Sequence, residues 1–498
     1  MTTEPATAVR VEVRKGAYRD SVALMRVTRE VAAAPGVESA LVAMATDLNL
    51  GILADMGADA PEGAGPDDLL IAVRAADEEA LAGALTAAET ELAAMSAGGR
   101  GAGAGEPSDE PPRTLRTAAR RAAADGNPAT IALVSVPGRY AAAEAFDALE
   151  SGLDVMVFSD NVPVEQEVAL KRTAEGLDRL VMGPDCGTAV VNGAGLGFAN
   201  AVRPGPVGVV AASGTGAQQV MCLLDAAGTG ISHCLGVGGR DLSAEVGGIS
   251  TRRALRMLDE DPATERIVLV SKPPAPGAAE EVHRLAAGLA TPVHTVLVGT
   301  GDSDIAAAVA EVAAAAGGEP PHWPRWLPDS APPRREGALR GLFCGGTLAQ
   351  EAAAVAARTL GPVAFAAGPA EARAPGHLVV DFGEDAFTLD RPHPMIDPAL
   401  RTERFAAELA DPGTAAVLAD VVLGHGAHPD PAAGLAAALE AAGPRRPHVV
   451  VSLCGAEADV QGTAGQAERL RRAGAEVHLA NSAAARRAAA LASGAEPA

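Results

Sequence analysis

The sequence predicts an α/β protein built on doubly wound parallel sheets, preceded by a small α+β domain. Three observations predict it. From about residue 130 onward, short apolar runs rich in Val, Ile and Leu alternate with alanine-rich helical segments; that order gives parallel strands joined by crossover helices. Two of the strand-to-helix junctions share one grammar, Ser213-Gly-Thr-Gly216 and Cys344-Gly-Gly-Thr347. Ahead of them, Ala97 to Pro112 is a Gly/Pro/Ala-rich stretch of linker composition.

Composition bounds the function. The 498 residues suffice for three or four domains. Hydrophobic residues make up 48% and aromatics only 2%, so the cores are Ala, Val and Leu. A net charge of −23 without a long basic run argues against nucleic acid or an anionic membrane as partner. The five cysteines, Cys186, Cys222, Cys234, Cys344 and Cys454, form no CxxC pair. Free thiols in a reducing cytoplasm follow. Met1 to Arg14 lacks the apolar stretch of a signal peptide. No uninterrupted apolar run of about 20 residues is present, so no membrane span is expected.

Taken in order, Val9 to Val13 alternates like a strand, and Lys15 to Ser21 turns into a helix over Val22 to Ala33 that Pro35-Gly36 stops. Val37 to Ala45 and Asp68 to Arg74 are further strands, separated by a short helix ending at Met56. A long helix follows to Met95, with Asp77 as its N-cap. This order suits a ferredoxin-like domain over 1–96. Lys15, Tyr18, Arg19 and Asp20 sit where a ligand could be met, or form a solvated cap. After a linker over 97–115, the segment 116–204 alternates strand and helix: Thr130 to Val136, Ala141 to Leu149, Asp154 to Phe158, Val164 to Ala174, then Leu177 to Met182. Ligands bind beyond the carboxyl ends of such strands. Those ends carry Pro137 and Arg139, Asn161, and Asp185 with Cys186.

The segment 205–317 opens with the strand Val207 to Ala211, the turn Ser213 to Gly216, and a helix to Gly228. The first N–H groups of such a helix lack internal partners and carry partial positive charge, which suits an anion. The plainer reading is a tight turn with Ser213 or Thr215 as N-cap. The second copy, in segment 336–498, suggests two helix N-termini facing one phosphate, held by Ser213, Gly214, Thr215, Gly216, Gly345, Gly346 and Thr347. Gly238 and Gly239 end another strand and could hold a ligand or simply turn. A helix over Thr251 to Asp259 and the strand Arg266 to Ser271 follow. A proline-rich linker, 318–335, holds Trp323 and Trp326 and reads as an extended arm. Beyond the strand Leu378 to Asp381, a long loop over Phe382 to Ala399 places His393 between prolines, two residues after Arg391. These two are the catalytic candidates, His393 as acid or base. Strands near Val417 to Leu423 and Val449 to Leu453, and a strand–helix pair over Glu476 to Leu491, close the fold. His425, His428 and Asp430 are too few for a convincing metal site, and Asp430 reads as a helix cap. No metal is expected. The cysteines lack an adjacent base, so Cys186 and Cys454 read as structural.

The residues carry a family resemblance. Ser135-Val-Pro137, Ser159-Asp-Asn-Val-Pro163 and Met182-Gly-Pro-Asp-Cys-Gly187 resemble the CoA-binding domain of the succinyl-CoA synthetase α subunit. Gly208-Val-Val-Ala-Ala-Ser-Gly-Thr215 and Leu235-Gly-Val-Gly-Gly239 continue the likeness into its ligase domain. With Lys15-Gly-Ala-Tyr-Arg-Asp-Ser21 and Arg391-Pro-His-Pro-Met-Ile-Asp397, the whole is similar to the FdrA family of acyl-CoA-synthetase-like proteins. The resemblance implies a Rossmann-like CoA-binding-type domain and two flavodoxin-like ligase domains, and makes CoA the one cofactor to consider. It implies a cytoplasmic, oligomeric subunit of an enzyme of allantoin catabolism, working with partner protein subunits on small molecules. The reaction implied is oxamate carbamoyltransferase, oxalurate plus phosphate giving oxamate plus carbamoyl phosphate. Arg139, Arg240 or Arg391 would then hold the oxamate carboxylate. The phosphohistidine loop of succinyl-CoA synthetase has no counterpart after Thr291, where His294 falls in a strand, and no ATP-grasp segment is recognised. An ATP-dependent acyl-CoA synthetase completed by a partner, or an inactive scaffold subunit, are the alternatives.

Overall fold

The computed structural model describes residues 8–17, 19, 21–58, 61, 63–97, 112–299, 304–317, 321–388 and 392–494. Tyr18, Asp20 and Arg391, singled out above, lie outside the described residues. The chain divides into two compact units, Met1–Pro111 and Pro112–Ala498.

The first unit is a three-stranded antiparallel sheet, order β1-β3-β2, from β1 (Ala8–Arg14), β2 (Val37–Met44) and β3 (Leu69–Ala75). Helices α1 (Ser21–Ala32) and α3 (Glu78–Ala97) supply Leu24, Val27, Val31, Leu81, Ala84 and Ala88 to one face. The short α2 (Asp47–Asp55) closes the other through Leu53. Asp77 accepts the Ala80 N–H at 2.8 Å, the cap expected from sequence. Lys15 is spent internally. It donates to Asp68 at 2.9 Å, and with the Gly16 and Gly65 N–H groups it holds that carboxyl down at about 2.

The second unit begins with α4 (Leu115–Ala124), capped by Thr114, which accepts the Thr117 N–H at 3.1 Å. No helix is expected there from sequence. Its Leu115 and Ala119 pack on the core of the sheet that follows, although no residue of the helix is fully buried. A parallel sheet, order β4-β5-β6, follows from β4 (Ile131–Val134), β5 (Asp154–Val157) and β6 (Val181–Met182), with α5 (Gly138–Glu150) and α6 (Val164–Gly176).

Next comes a six-stranded sheet. It contains β7 (Thr188–Val191), β8 (Ala194–Gly197), β9 (Pro204–Ala211), β10 (Ile231–Gly236), β11 (Arg266–Ser271) and β12 (Val293–Leu297). Its helices are α7 (Gly214–Ala226), α8 (Ile249–Glu260), α9 (Pro276–Ala286) and α10 (Ile305–Ala315). The order is β12-β11-β9-β10-β7-β8. Strands β7 and β8 form an antiparallel hairpin on the edge of the otherwise parallel sheet. Neither strand is expected from sequence: Ala194-Gly-Leu-Gly197 has neither β-branched residues nor alternation, whereas Thr188-Ala-Val-Val191 does carry β-branched residues.

A seven-stranded sheet completes the unit. Its first members are β13 (Arg325–Trp326), β14 (Ala338–Phe343), β15 (Ala364–Ala366) and β16 (Leu378–Asp381), with α11 (Gly346–Leu360) after β14. The one-turn α12 (Asp385–Thr388) interrupts the long loop expected over 382–399, and α13 (Ala399–Ala410) ends it. Then come β17 (Thr414–Val422), α14 (Ala433–Ala442), β18 (His448–Cys454), α15 (Thr463–Arg472), β19 (Glu476–His478) and α16 (Asn481–Ser493). The order is β13-β19-β18-β17-β14-β16-β15, with only β13 antiparallel. Every residue of β17 and β18 is buried, as expected for strands covered on both faces. Helices α7 and α10 pack on α11 and α16, joining the two large sheets.

One buried charge cluster ties the small parallel sheet to its neighbour. The Lys171 side chain of α6 is fully buried. Its Nζ donates to Glu167 at 2.8 Å, Asp241 at 2.7 Å and the Val237 carbonyl at 2.9 Å. Asp241 also takes the Thr251 N–H and hydroxyl at 2.9 and 2.7 Å. Removing the lysine leaves buried carboxylates without their counter-charge. Lys171→Ala should therefore cost about 3–5 kcal/mol, read as a lowered urea midpoint; an unchanged midpoint would contradict this account.

Candidate functional site

Both glycine turns sit where strand order reverses. From β9 the chain places β10 on one side and β11, β12 on the other. From β14 it places β15 and β16 on one side and β17 to β19 on the other. Open α/β sheets bind ligands at such a point, beyond the strands' carboxyl ends. In this fold the two points face each other.

The helix ends interlock reciprocally. Ser213 caps α7 by accepting the Gly216 N–H at 3.0 Å, and its hydroxyl also hydrogen-bonds the Thr347 hydroxyl of α11. A Cβ on Gly345 would lie 2.8 Å from Thr215 Cγ2 and 2.9 Å from its Oγ1; one on Gly216 would lie 3.2 Å from Thr347 Cγ2. Each threonine thus covers a glycine of the other turn, and a larger residue would push the helices apart. Thr188 of β7 adds a third element. It is 2% exposed, and its hydroxyl lies 3.6 Å from where a Gly214 Cβ would stand. That hydroxyl has no hydrogen-bond partner. A buried hydroxyl without a partner, beside the first residue of a helix, is free to bond a polar group placed there.

Around α11 stand groups that sequence reasoning missed. Asp381, the last residue of β16, pairs in register with Phe343 of β14. Its Oδ1 accepts the Gly383 N–H at 2.9 Å, and its Oδ2 lies over Gly346, where any Cβ would collide with it. Burial, with Glu384 nearby, pushes its carboxyl up to about 7 although Lys272 pulls the other way. Lys272, after β11, lies 3.9 Å from Glu384. Asp420 of β17 accepts the Cys344 and Gly345 N–H groups at 2.9 Å each and pairs with Arg401 at 2.7 Å. No local motif signals these residues; strand register alone assembles them.

His393 reaches the same place. Its Nε2 lies 2.8 Å from where a Gly383 Cβ would stand, its Nδ1 accepts the Met395 N–H at 3.2 Å, and its ring stacks at 6.0 Å on Phe198. That hydrogen bond leaves the ring proton on Nε2. Burial pushes its pKa down to about 4, so the ring is neutral at pH 7. The segment bearing Phe198 is clamped to the second large sheet: Asn200 donates to Asp459 at 2.7 Å and to the Leu423 carbonyl at 3.0 Å.

The other sequence candidates lie elsewhere. Pro137 and Arg139 open α5, where Arg139 stacks on Tyr140 at 4.6 Å. Asn161 and Asp185 hold positive φ in the neighbouring strand-end loops. Gly238 backs onto Gly183 and Pro184, an approach only glycine permits. Arg240, offered above as a carboxylate anchor, is engaged with Glu167 and the Val162 carbonyl instead. All five cysteines are buried, and burial pushes the Cys186 thiol up to about 12, away from nucleophilic chemistry. Asp430 pairs with Arg469 at 2.6 Å. Among the described residues no group of three His, Cys, Asp or Glu is placed to hold a metal.

Comparison with known proteins agrees with this architecture. Residues 342–491 match the CoA-ligase family model, and residues 6–108 match that of the AllF heavy metal-associated domain. YahF of Escherichia coli K12 is 36% identical over 504 residues, spanning 94% of this chain and 95% of YahF. The chain belongs to the YahF family. The succinate–CoA ligase [ADP-forming] subunit alpha 1 of Archaeoglobus fulgidus is 30% identical over 157 residues, 31% of this chain and 52% of that subunit. A dinucleotide-forming acetyl-coenzyme A synthetase 1 of Ca. Korarchaeum cryptofilum, solved with phosphate and ADP, is 17% identical with a TM-score of 0.28, covering 73% of this chain and 82% of that one. Residues 342–491 are thus CoA-ligase-like, and about a third of the chain resembles the succinate–CoA ligase alpha subunit. The heavy metal named for the N-terminal family does not fit. The first cysteine is Cys186 and the first histidine His233, so residues 6–108 hold no thiolate or imidazole.

Glu351 separates anchoring from chemistry on α11. It is buried and accepts the Ile305 N–H at 2.8 Å and Asn481 Nδ2 at 2.7 Å, fastening α10 and α16 to α11. Burial pushes its carboxyl from 4.5 up to about 7. The folded state therefore holds a proton that the unfolded chain releases, and stability falls as pH rises through that window. Relative to wild type, Glu351→Gln should gain stability between pH 5 and 8, by up to about 3 kcal/mol. Parallel pH curves for the two proteins in chemical denaturation would refute it.

Proposed function

We propose that this chain is the transferase subunit of a succinyl-CoA-ligase-type enzyme that moves an acyl or carbamoyl group to and from phosphate. Its most specific form is oxamate carbamoyltransferase, in which oxalurate and phosphate give oxamate and carbamoyl phosphate. The carrying observation is the reciprocal meeting of α7 and α11 beside the orphan hydroxyl of Thr188. A phosphate there gains the partial charge of two helix ends and the hydroxyls of Ser213, Thr215 and Thr347. The N–H groups of Gly214 and Gly346, at the first positions of their helices, would stabilise charge building on the transferred group.

No phosphohistidine is needed. His393 is neutral, with Nδ1 committed to Met395, and suits a hydrogen bond from Nε2 to the substrate rather than covalent relay. A phosphate oxygen attacks the carbamoyl carbon directly. Lys272, half-exposed at the rim, attracts the substrate carboxylate, with Arg391 as a second cation. If CoA is used, Arg139, Asn161, Asp185, Gly238 and Gly239 would hold it at the ends of β4, β5, β6 and β10. It would supply a thiol as acyl acceptor. The reading includes partner subunits in a cytoplasmic complex.

Thr188→Val tests the site without emptying it. The variant should bind inorganic phosphate or carbamoyl phosphate about tenfold more weakly in calorimetry, the worth of one hydrogen bond to an ionic group. Its unfolding midpoint should hold or rise, since the lost hydroxyl satisfied nothing. Equal affinity would sink the twin-helix site, and tight CoA binding without phosphate would favour the ATP-dependent synthetase.

A further inference from the structure

We propose that Asp381 is a catalytic acid–base group of this site, protonating the nitrogen that leaves the carbamoyl donor and taking up the proton that phosphate sheds. The inference rests on the phosphate-linked transfer proposed above and adds the group that moves its protons.

Geometry comes first. Asp381 ends β16 directly beside β14, whose turn opens α11. Its carboxyl is oriented by the Gly383 N–H on Oδ1, and Oδ2 lies over the first residue of α11. Glycine at 346 and at 383 clears the two sides of the carboxyl: a side chain at 346 would strike Oδ2, and one at 383 would stand 3.3 Å from Oδ1. Asp420, buried on β17 beyond β14, is tied to Arg401 at 2.7 Å. Among the described residues Asp381 has no such tie. The charged groups facing it are Glu384 and Asp420, which oppose its ionisation, and Lys272, which favours it at longer range. His393, neutral, faces it across Gly383. Burial and two neighbouring acids keep the carboxyl protonated up to about 7, the condition for an acid that must also act as a base near neutral pH.

The step balances. An oxygen of hydrogen phosphate bonds to the carbamoyl carbon, and the bond from that carbon to the substituted nitrogen breaks. The departing nitrogen takes the Asp381 proton and leaves as a neutral amide. The carboxylate then accepts the proton remaining on phosphate, and carbamoyl phosphate is formed. Run backward, the carboxylate removes the amide proton as nitrogen attacks. No external proton, oxidant or reductant is required. Negative charge on Asp381 would also repel phosphate from α11, so the neutral form is the one compatible with binding.

Asp381→Asn keeps the shape and the acceptor for Gly383 but holds no transferable proton. In the assembled enzyme, transfer from an N-carbamoyl donor to phosphate should fall about 10²- to 10⁴-fold in kcat, with the KM for phosphate within about threefold. The wild-type rate in this direction should decline as pH rises through about 7, and that limb should vanish in the variant. On the isolated chain, infrared difference spectra between pH 6 and pH 8 should show loss of a protonated carboxyl band that Asp381→Asn lacks. An unchanged rate with an unchanged pH profile, or identical infrared differences, overturns the assignment and leaves the transfer reading standing. Wild-type protein that binds neither phosphate nor carbamoyl phosphate overturns both.

Discussion

Two helices that meet end-on impose the constraint on which the rest of the second unit depends. Thr215 lies over Gly345, Thr347 is close to Gly216, and Ser213 bridges to Thr347. Contacts this close require both sheets to deliver their helices at one angle. The burial of β17 and β18, the packing of α10 and α16, and the Asn200–Asp459 clamp all serve that alignment. Like-directed dipoles repel when their positive ends converge. A bound anion would offset that repulsion.

The buried acids around α11 divide by their neighbours. Asp420 is neutralised by Arg401 and spent on two backbone N–H groups, so it fixes the turn before α11. Asp381, a strand away, has one backbone donor and, among the described residues, no paired cation. Glu351, one turn into α11, holds the start of α10. Three buried carboxyls in similar burial thus act as a latch, a titrating group and an anchor. The geometry of donors around each, more than burial, sets the difference.

Much of this was legible locally. The glycine turns and the Asp77 cap are written within a few residues, and the alternation of apolar runs with alanine-rich helices announces parallel sheets. What escaped was whatever depends on register or on weak local patterns. Thr188 sits in a hairpin whose second strand reads Ala-Gly-Leu-Gly. Asp381 reads from sequence as the end of a strand, and Lys272 follows the strand that ends at Ser271; only the sheet order brings them to the same helix end. Arg240 shows the converse, a plausible ligand by composition that the fold consumes in a structural pair with Glu167.

The proline-rich arm carries a consequence of its own. The chain's 2 tryptophans are Trp323 and Trp326. Trp326 pairs within β13 on the edge of the seven-stranded sheet and packs against the cores of both large sheets, while Trp323 packs against the first. Nature has thereby placed the whole indole fluorescence of a 498-residue protein at one seam. Tryptophan emission from this chain arises wholly in the second unit and reports the union of its two large sheets, an optical gauge of whether the sheets that bring α7 to α11 stay joined.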